Sequence, residues 1–434
     1  MARRDLRSLS VTTLGAVLGA ALGALVGGFL VIGVTLVLKA GIDLAASQGT
    51  WFALTIPPLG LLLAVAALHG IGTTATDEET RARSWRAFPP DAARADISAD
   101  VVDSAGQEER FPWRLAPIRG IAILATVGLG GAMGTEAPAA YFGVAAGVWL
   151  GDRGRRWRRL LRPAALAGGA AGVAALMGIA LVGTAFMLEL GRRRRAPLDL
   201  ERVMAALIGG VIGWGTDKIL GLSLIRLVVP KEAPGTFAQA IITAVFIGAA
   251  SGAITAAAAA AVYRAKKWQA RPAVRLVLGV AATIVISLVL ARIAAPSAAV
   301  GPGGGAILWA EAVDARPLSA LVVCLLRAAA TTAAVAAGGC GGVFVPFLAV
   351  GDLAGRVFAP GLRVGHDLAG AAGAAGGIAA GYRLPITAAM MVLGVGGPAR
   401  ATLTCLATVA TAWTVSDVAQ TLLVRLPRLR WRRS

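Results

Sequence analysis

Apolar residues in this chain gather into long runs separated by short polar breaks. The run lengths decide what each can be. Runs at 12–38, 52–68, 163–190, 203–229, 238–262, 273–293, 318–337 and 401–423 are each long enough, as helices, to cross about 30 Å of hydrocarbon. Shorter apolar pieces at 138–150, 343–358 and 385–395 cannot cross alone. Glycine and proline bound them, so they are expected to be broken or re-entrant helices, shielded by protein or by a cavity.

Polar sequence concentrates in one internal stretch, 73–114, which reads as a solvent loop. A second break, Pro230-Lys231-Glu232-Ala233-Pro234, divides the chain into 1–229 and 230–434. The halves share a pattern. The first carries Gly134-Thr135-Glu136-Ala137-Pro138 before an apolar helix. The second carries Gly338-Gly339-Cys340-Gly341-Gly342-Val343-Phe344-Val345-Pro346. In each, a glycine stands four positions before the proline. Matching Gly/Pro interruptions in two halves point to an inverted repeat with its site near the membrane midplane. The expected fold is therefore an all-α polytopic membrane protein, an inverted repeat of two halves with broken and re-entrant helices.

Composition agrees and adds charge. Apolar residues make up 57% of the chain, above the roughly 45–50% of soluble domains, and mean hydropathy is +0.74. The formal charge of +19 comes from arginine clusters at 3–7, 153–162, 192–195 and 425–433. These abut the apolar runs, as the positive-inside rule and contact with anionic lipid headgroups require. They lack interleaved aromatics apart from Trp157 and Trp431, so nucleic acid is not an expected partner. Arginines ahead of the first run place the N-terminus in the cytoplasm. That run is too long for a signal-peptide core, so it reads as the first membrane helix. Cys324, Cys340 and Cys405 are scattered without metal-ligand spacing, and His69 and His366 are the only histidines. No metal or cofactor is expected, and no enzyme: there is no Ser/His pairing, and Gly301-Pro302-Gly303-Gly304-Gly305 lacks the lysine and hydroxyl of a phosphate loop.

Glu136 carries the chemistry. A carboxylate at membrane depth costs on the order of 3 kcal/mol unless it meets water, an ion or a partner. Gly134 permits a helix break and Pro138 fits the first turn of a new helix, which puts Glu136 at an electropositive N-terminus. The N–H groups near Val343 and Phe344 are expected to open a second such helix and to bind an anion there. Neither motif holds a lysine or arginine, so partial charges would hold the ion loosely enough for release. Glu136 would compete for an anion position, and protonation would vacate it: one residue could act as gate and proton acceptor.

The ordered set of motifs resembles the CLC family of chloride channels and chloride/proton antiporters. Gly134–Pro138 is similar to the family's G-[KR]-E-G-P motif, whose glutamate is the gate, and Gly342–Pro346 to its G-x-F-x-P motif. Gly381-Tyr382-Arg383-Leu384-Pro385-Ile386-Thr387, Phe186-Met187-Leu188-Glu189 and Ala116-Pro117-Ile118-Arg119 resemble further family segments in the family's order. The resemblance implies an anion site formed by Gly134, Thr135, Ala137, Gly342, Val343 and Phe344 with Glu136 as gate, and a homodimer in the cell membrane. It also implies an anion-binding hydroxyl at Thr73 if Gly72-Thr73-Thr74-Ala75-Thr76 aligns with the motif G-S-G-I-P; a register starting at Gly70-Ile71-Gly72 would put Ile71 there instead, and the motif's proline is missing in both.

Departures set the expected mechanism. Thr135 replaces the basic residue of the gating motif and Ala137 its second glycine. Leu190 stands where antiporters carry an inner glutamate, and no tyrosine occurs between Asp417 and the last residue. No cytoplasmic regulatory domain is expected after Ser434. The resemblance thus implies chloride transport that is passive or weakly coupled to protons. The alternatives are a tightly coupled chloride/proton antiporter, a fluoride exporter, against which Pro138 argues, and a non-conducting scaffold with the same fold.

Overall fold

In hydrocarbon every backbone N–H and C=O must be satisfied within its own segment, and the chain meets that demand with helices. The computed structural model describes residues 2–69, 97–106, 111–154, 157–221, 227–313 and 315–430. Among these the helices of eight residues or more are α1 (Ala2–Gln48), α2 (Thr50–His69), α3 (Ile97–Gly106), α4 (Ala116–Ile123), α5 (Glu136–Gly151), α6 (Leu161–Met177), α7 (Ala180–Arg193) and α8 (Leu200–Leu220). They continue with α9 (Phe237–Lys267), α10 (Pro272–Ile293), α11 (Gly304–Ala312), α12 (Pro317–Ala337), α13 (Phe344–Arg356), α14 (His366–Gly377), α15 (Pro385–Val395) and α16 (Ala399–Arg430). Seven described helices are long and apolar enough to cross a membrane, the longest of them covering Ser10–Gln48 and Phe237–Lys267.

Three boundaries differ from the hydropathy reading. The apolar run 163–190 is two helices, because Gly178 takes a left-handed φ of +66° and closes α6. The run 203–229 is helical only to Leu220, where Gly221 caps α8 with a φ of +61°. Within the polar stretch 73–114, α3 forms and buries Ile97, Val101 and Ala105. Its apolar positions are too few to show in hydropathy, but they recur every four residues along one helical face.

The chain divides into two compact units. One comprises 1–41, 59–226 and 338–342, and the other 42–58, 227–337 and 343–434. In the first, α5 and α6 pack backbone against backbone: Gly143 lies on the Gly168 carbonyl and Gly147 on the Ala164 carbonyl, where any Cβ would collide. In the second, α13 lies on α14 in the same way, with Gly351 on the Gly373 carbonyl and Gly355 on that of Ala369. Lipid tails are as apolar as leucine, so close packing of small residues, rather than expulsion of water, holds such pairs together. In both units the helix so fixed is the one that follows a glycine break.

Candidate functional site

In the first unit α4 runs into a π-helical turn, Leu124–Gly128, before the chain leaves helical geometry. Such turns recur at functional sites because their widened ring frees backbone groups for other partners. Here the Thr126 carbonyl accepts from the Gly131 N–H at 2.7 Å. The buried Thr126 hydroxyl accepts from the Cys340 N–H at 3.0 Å. The segment 338–342 is thereby tied to the break before α5. Gly134 and Gly342 complete the tie, each donating its N–H to the other's carbonyl at 2.8 Å.

This two-way pairing builds a cradle. Glu136 is the first residue of α5, with Thr135 at the cap position and no side chain capping the helix. The Glu136 carboxylate is fully buried and folds back onto both paired glycines. A Cβ on Gly134 or on Gly342 would collide with it. Both positions are therefore glycine for closeness of approach, not for a turn. The acid stands where an anion would be stabilised, at the electropositive end of a 16-residue helix.

Three residues hold α5 in place. Arg119 of α4 is fully buried and ion-paired with Asp100 of α3. Its guanidinium lies 5.0 Å from the centre of the Tyr141 ring on α5. The Tyr141 hydroxyl donates to the Pro112 carbonyl at 3.1 Å.

In the second unit α13 opens at Phe344, with Val343 at its cap position. Val343, Phe344 and Val345 are all buried. The first N–H groups of such a helix have no partner within it, and none of these three residues carries charge. The Phe344 and Tyr382 rings meet in a T-shaped arrangement at a centroid distance of 5.7 Å. Tyr382 ends a second π-helical turn, Ile378–Tyr382. Arg383 then takes a left-handed φ of +58° before Pro385 starts α15. From α16, Ser416 donates to the Ala380 carbonyl at 3.1 Å, and Asp417 pairs with Arg383 at 2.7 Å. A buried ring against the residue that opens α13 gives a direct test. Tyr382→Ala is expected to cost about 3 kcal/mol and Tyr382→Phe about 1 kcal/mol or less. Thermal unfolding in detergent reads the difference, and equal losses in both variants would deny the ring contact its importance.

Residues 84–417 match the family model described as voltage gated chloride channel. The chain belongs to that family. Among solved structures it resembles a slow cyanobacterial Cl−/H+ antiporter, with a TM-score of 0.70 at 16% identity, over 96% of this chain and 98% of that one. A CLC-type fluoride/proton antiporter gives a TM-score of 0.70 at 19% identity, over 94% and 96%. A eukaryotic CLC transporter gives 0.64 at 16%, over 98% of this chain and 75% of that one. No curated protein matches the sequence. At these identities the likeness shows the fold: an all-α, multi-pass integral membrane protein of the CLC transporter type.

Of the residues the sequence marks, Gly134, Glu136 and Gly342 come together directly, and the backbone nitrogen of Ala137 lies beside Gly342. Thr135 caps α5, while Val343 and Phe344 open α13. Thr73 lies outside the described residues. Leu190 is buried on α7, next to Glu189. Thr126 was not marked, and Tyr382 only as part of the segment Gly381–Thr387 and not as a site residue. A lone hydroxyl or phenol in an apolar run carries no signal until its partner is known, although Tyr382 directly precedes a marked arginine. Among the described residues no three of His, Cys, Asp and Glu meet as metal ligands would.

Proposed function

We propose that the protein passes small anions, chloride foremost, across the cell membrane, with Glu136 as the gate and with proton coupling that is weak or absent. The observation that carries this reading is the cradle: a buried carboxylate at a helix N-terminus, pressed on Gly342, the residue that leads in sequence to Val343 and the N–H groups opening α13. Anionic Glu136 occupies a position suited to an anion, and protonation removes its claim to it. Gly134, Thr135 and Ala137 shape the first helix end, Gly342, Val343 and Phe344 supply the second, and Thr73 contributes a hydroxyl. The arginine clusters meet anionic lipid headgroups, the N-terminus is cytoplasmic, and the functional assembly is a homodimer with a pathway in each subunit.

Weak coupling rests on Leu190, a buried aliphatic side chain that cannot carry a proton onward from Glu136. Purified protein in chloride-loaded liposomes tests both statements. Chloride is expected to run down its own gradient, while an imposed pH gradient fails to drive it uphill. Uphill movement would establish tight coupling and overturn the weak-coupling reading. Absence of chloride, nitrate and fluoride flux alike would leave a non-conducting scaffold. Flux confined to fluoride would make the protein a fluoride pathway, a reading that Pro138 in the first turn of α5 does not favour.

A further inference from the structure

Arg327 lies in the interior of α12 and is fully buried. Its guanidinium donates to the carbonyls of Ala298 and Ala299, each at 3.3 Å, and to that of Gly301. Its Nε has no hydrogen-bond partner, and no described carboxylate lies within ion-pairing distance. The two other fully buried arginines are treated differently. Arg119 is paired with Asp100, and Arg356 with Asp352 at 2.6 Å and Glu311 at 3.2 Å. Carbonyl dipoles orient the Arg327 guanidinium but leave its net charge in place. An uncompensated charge at membrane depth is costly and marks a functional position.

The geometry ties this charge to α13. The guanidinium enters the glycine-rich turn before α11, where a Cβ on Gly303 would stand 3.7 Å from Nε and collide with Ala349 of α13. One turn earlier on α12, the Cys324 thiol donates to the Val350 carbonyl of α13 at 3.2 Å. Ala349 is five residues past Phe344, so the charge flanks α13 about 8 Å along its axis from the N-terminus.

We infer that Arg327 is the remote cation that sets the anion affinity of the α13 N-terminus, a part that neither glycine motif can supply for want of a basic residue. The inference rests on the anion reading above. Arg327 touches no ion. It acts through its field, which lets it favour an anion without gripping it. At about 10 Å and an effective dielectric of about 20, removing one unit charge weakens anion binding roughly tenfold.

Chloride titration calorimetry on the full-length protein, with the half-saturation of liposome flux as a second reading, tests it. Arg327→Met is expected to bind chloride about tenfold more weakly, and Arg327→Lys to stay within about threefold of wild type. Met and wild type binding alike would overturn the inference. So would Met and Lys weakening equally while remaining folded, because the arginine would then only clamp the glycine-rich turn. Should the Met variant fail to fold, Arg327→Gln, which keeps two N–H donors for the carbonyls, carries the same test with the same expected tenfold loss. Wild-type protein that neither binds nor passes chloride would defeat the anion reading itself, whatever Arg327 does.

Discussion

Glu136→Gln is expected to raise chloride flux at neutral pH roughly tenfold and to flatten its dependence on pH. Glutamine has the size and shape of a protonated glutamate, so the variant mimics the neutral state of the proposed gate. In the wild type the carboxylate is buried in the cradle of Gly134 and Gly342, at the start of α5. A charge at a partly buried helix N-terminus is worth about 1–2 kcal/mol, and 1.4 kcal/mol is a factor of ten. The sign follows from protonation. On the proposed gating role, protonation of Glu136 weakens its hold on the helix end, and an anion can replace it. Wild-type flux should therefore rise as pH falls, while the glutamine variant should stay high throughout. Flux from liposomes between pH 4.5 and 7.5 is the measurement. A glutamine variant that kept the full wild-type pH profile would remove Glu136 from the gate.

The fold was legible because hydrocarbon imposes few choices. A run of 20 or so apolar residues must be a helix, and the described helices fall where the hydropathy places most of them. Breaks were legible only where glycine and proline occur together. Gly134 with Pro138 and Gly342 with Pro346 marked two helix starts, and α5 and α13 begin within two residues of those glycines. Gly178 was not legible. A single glycine in an apolar run ends a helix only if its φ turns positive, and composition does not record that. Helix α3 was hidden for the opposite reason: its apolar residues sit on one face among polar ones.

At the site, the residue types were visible and the pairings were not. Glu136 stands out as an acid in an apolar region, yet its seat against Gly342 depends on a contact between positions more than 200 residues apart. Thr126 binds Cys340 across 214 positions, and Tyr382 meets Phe344 across 38. Arg327 lies inside one of the predicted apolar runs. Its burial without an acid becomes informative only once its carbonyl partners are known.

Gly342→Ala is expected to disrupt the same cradle from its other side. The added methyl would collide with the Glu136 carboxylate and stand 3.1 Å from the Ala137 nitrogen. Overpacking of this kind costs about 1–3 kcal/mol. The flexible carboxylate can yield, while the backbone of Ala137, held by the helix it begins, cannot move far. The variant should therefore lose thermal stability and also displace Glu136 from this seat, which on the proposed gating role raises flux at neutral pH, as is expected of Glu136→Gln. The two effects separate in a double-mutant cycle. In a Glu136→Ala background the colliding carboxylate is absent, so adding Gly342→Ala should cost less than half the stability it costs in the wild type and leave flux unchanged. Thermal unfolding and liposome flux of the four proteins give the coupling directly. Additive losses would mean that the methyl acts on the Gly134–Gly342 backbone pairing alone, and the carboxylate would then have no claim to the seat that these two glycines form.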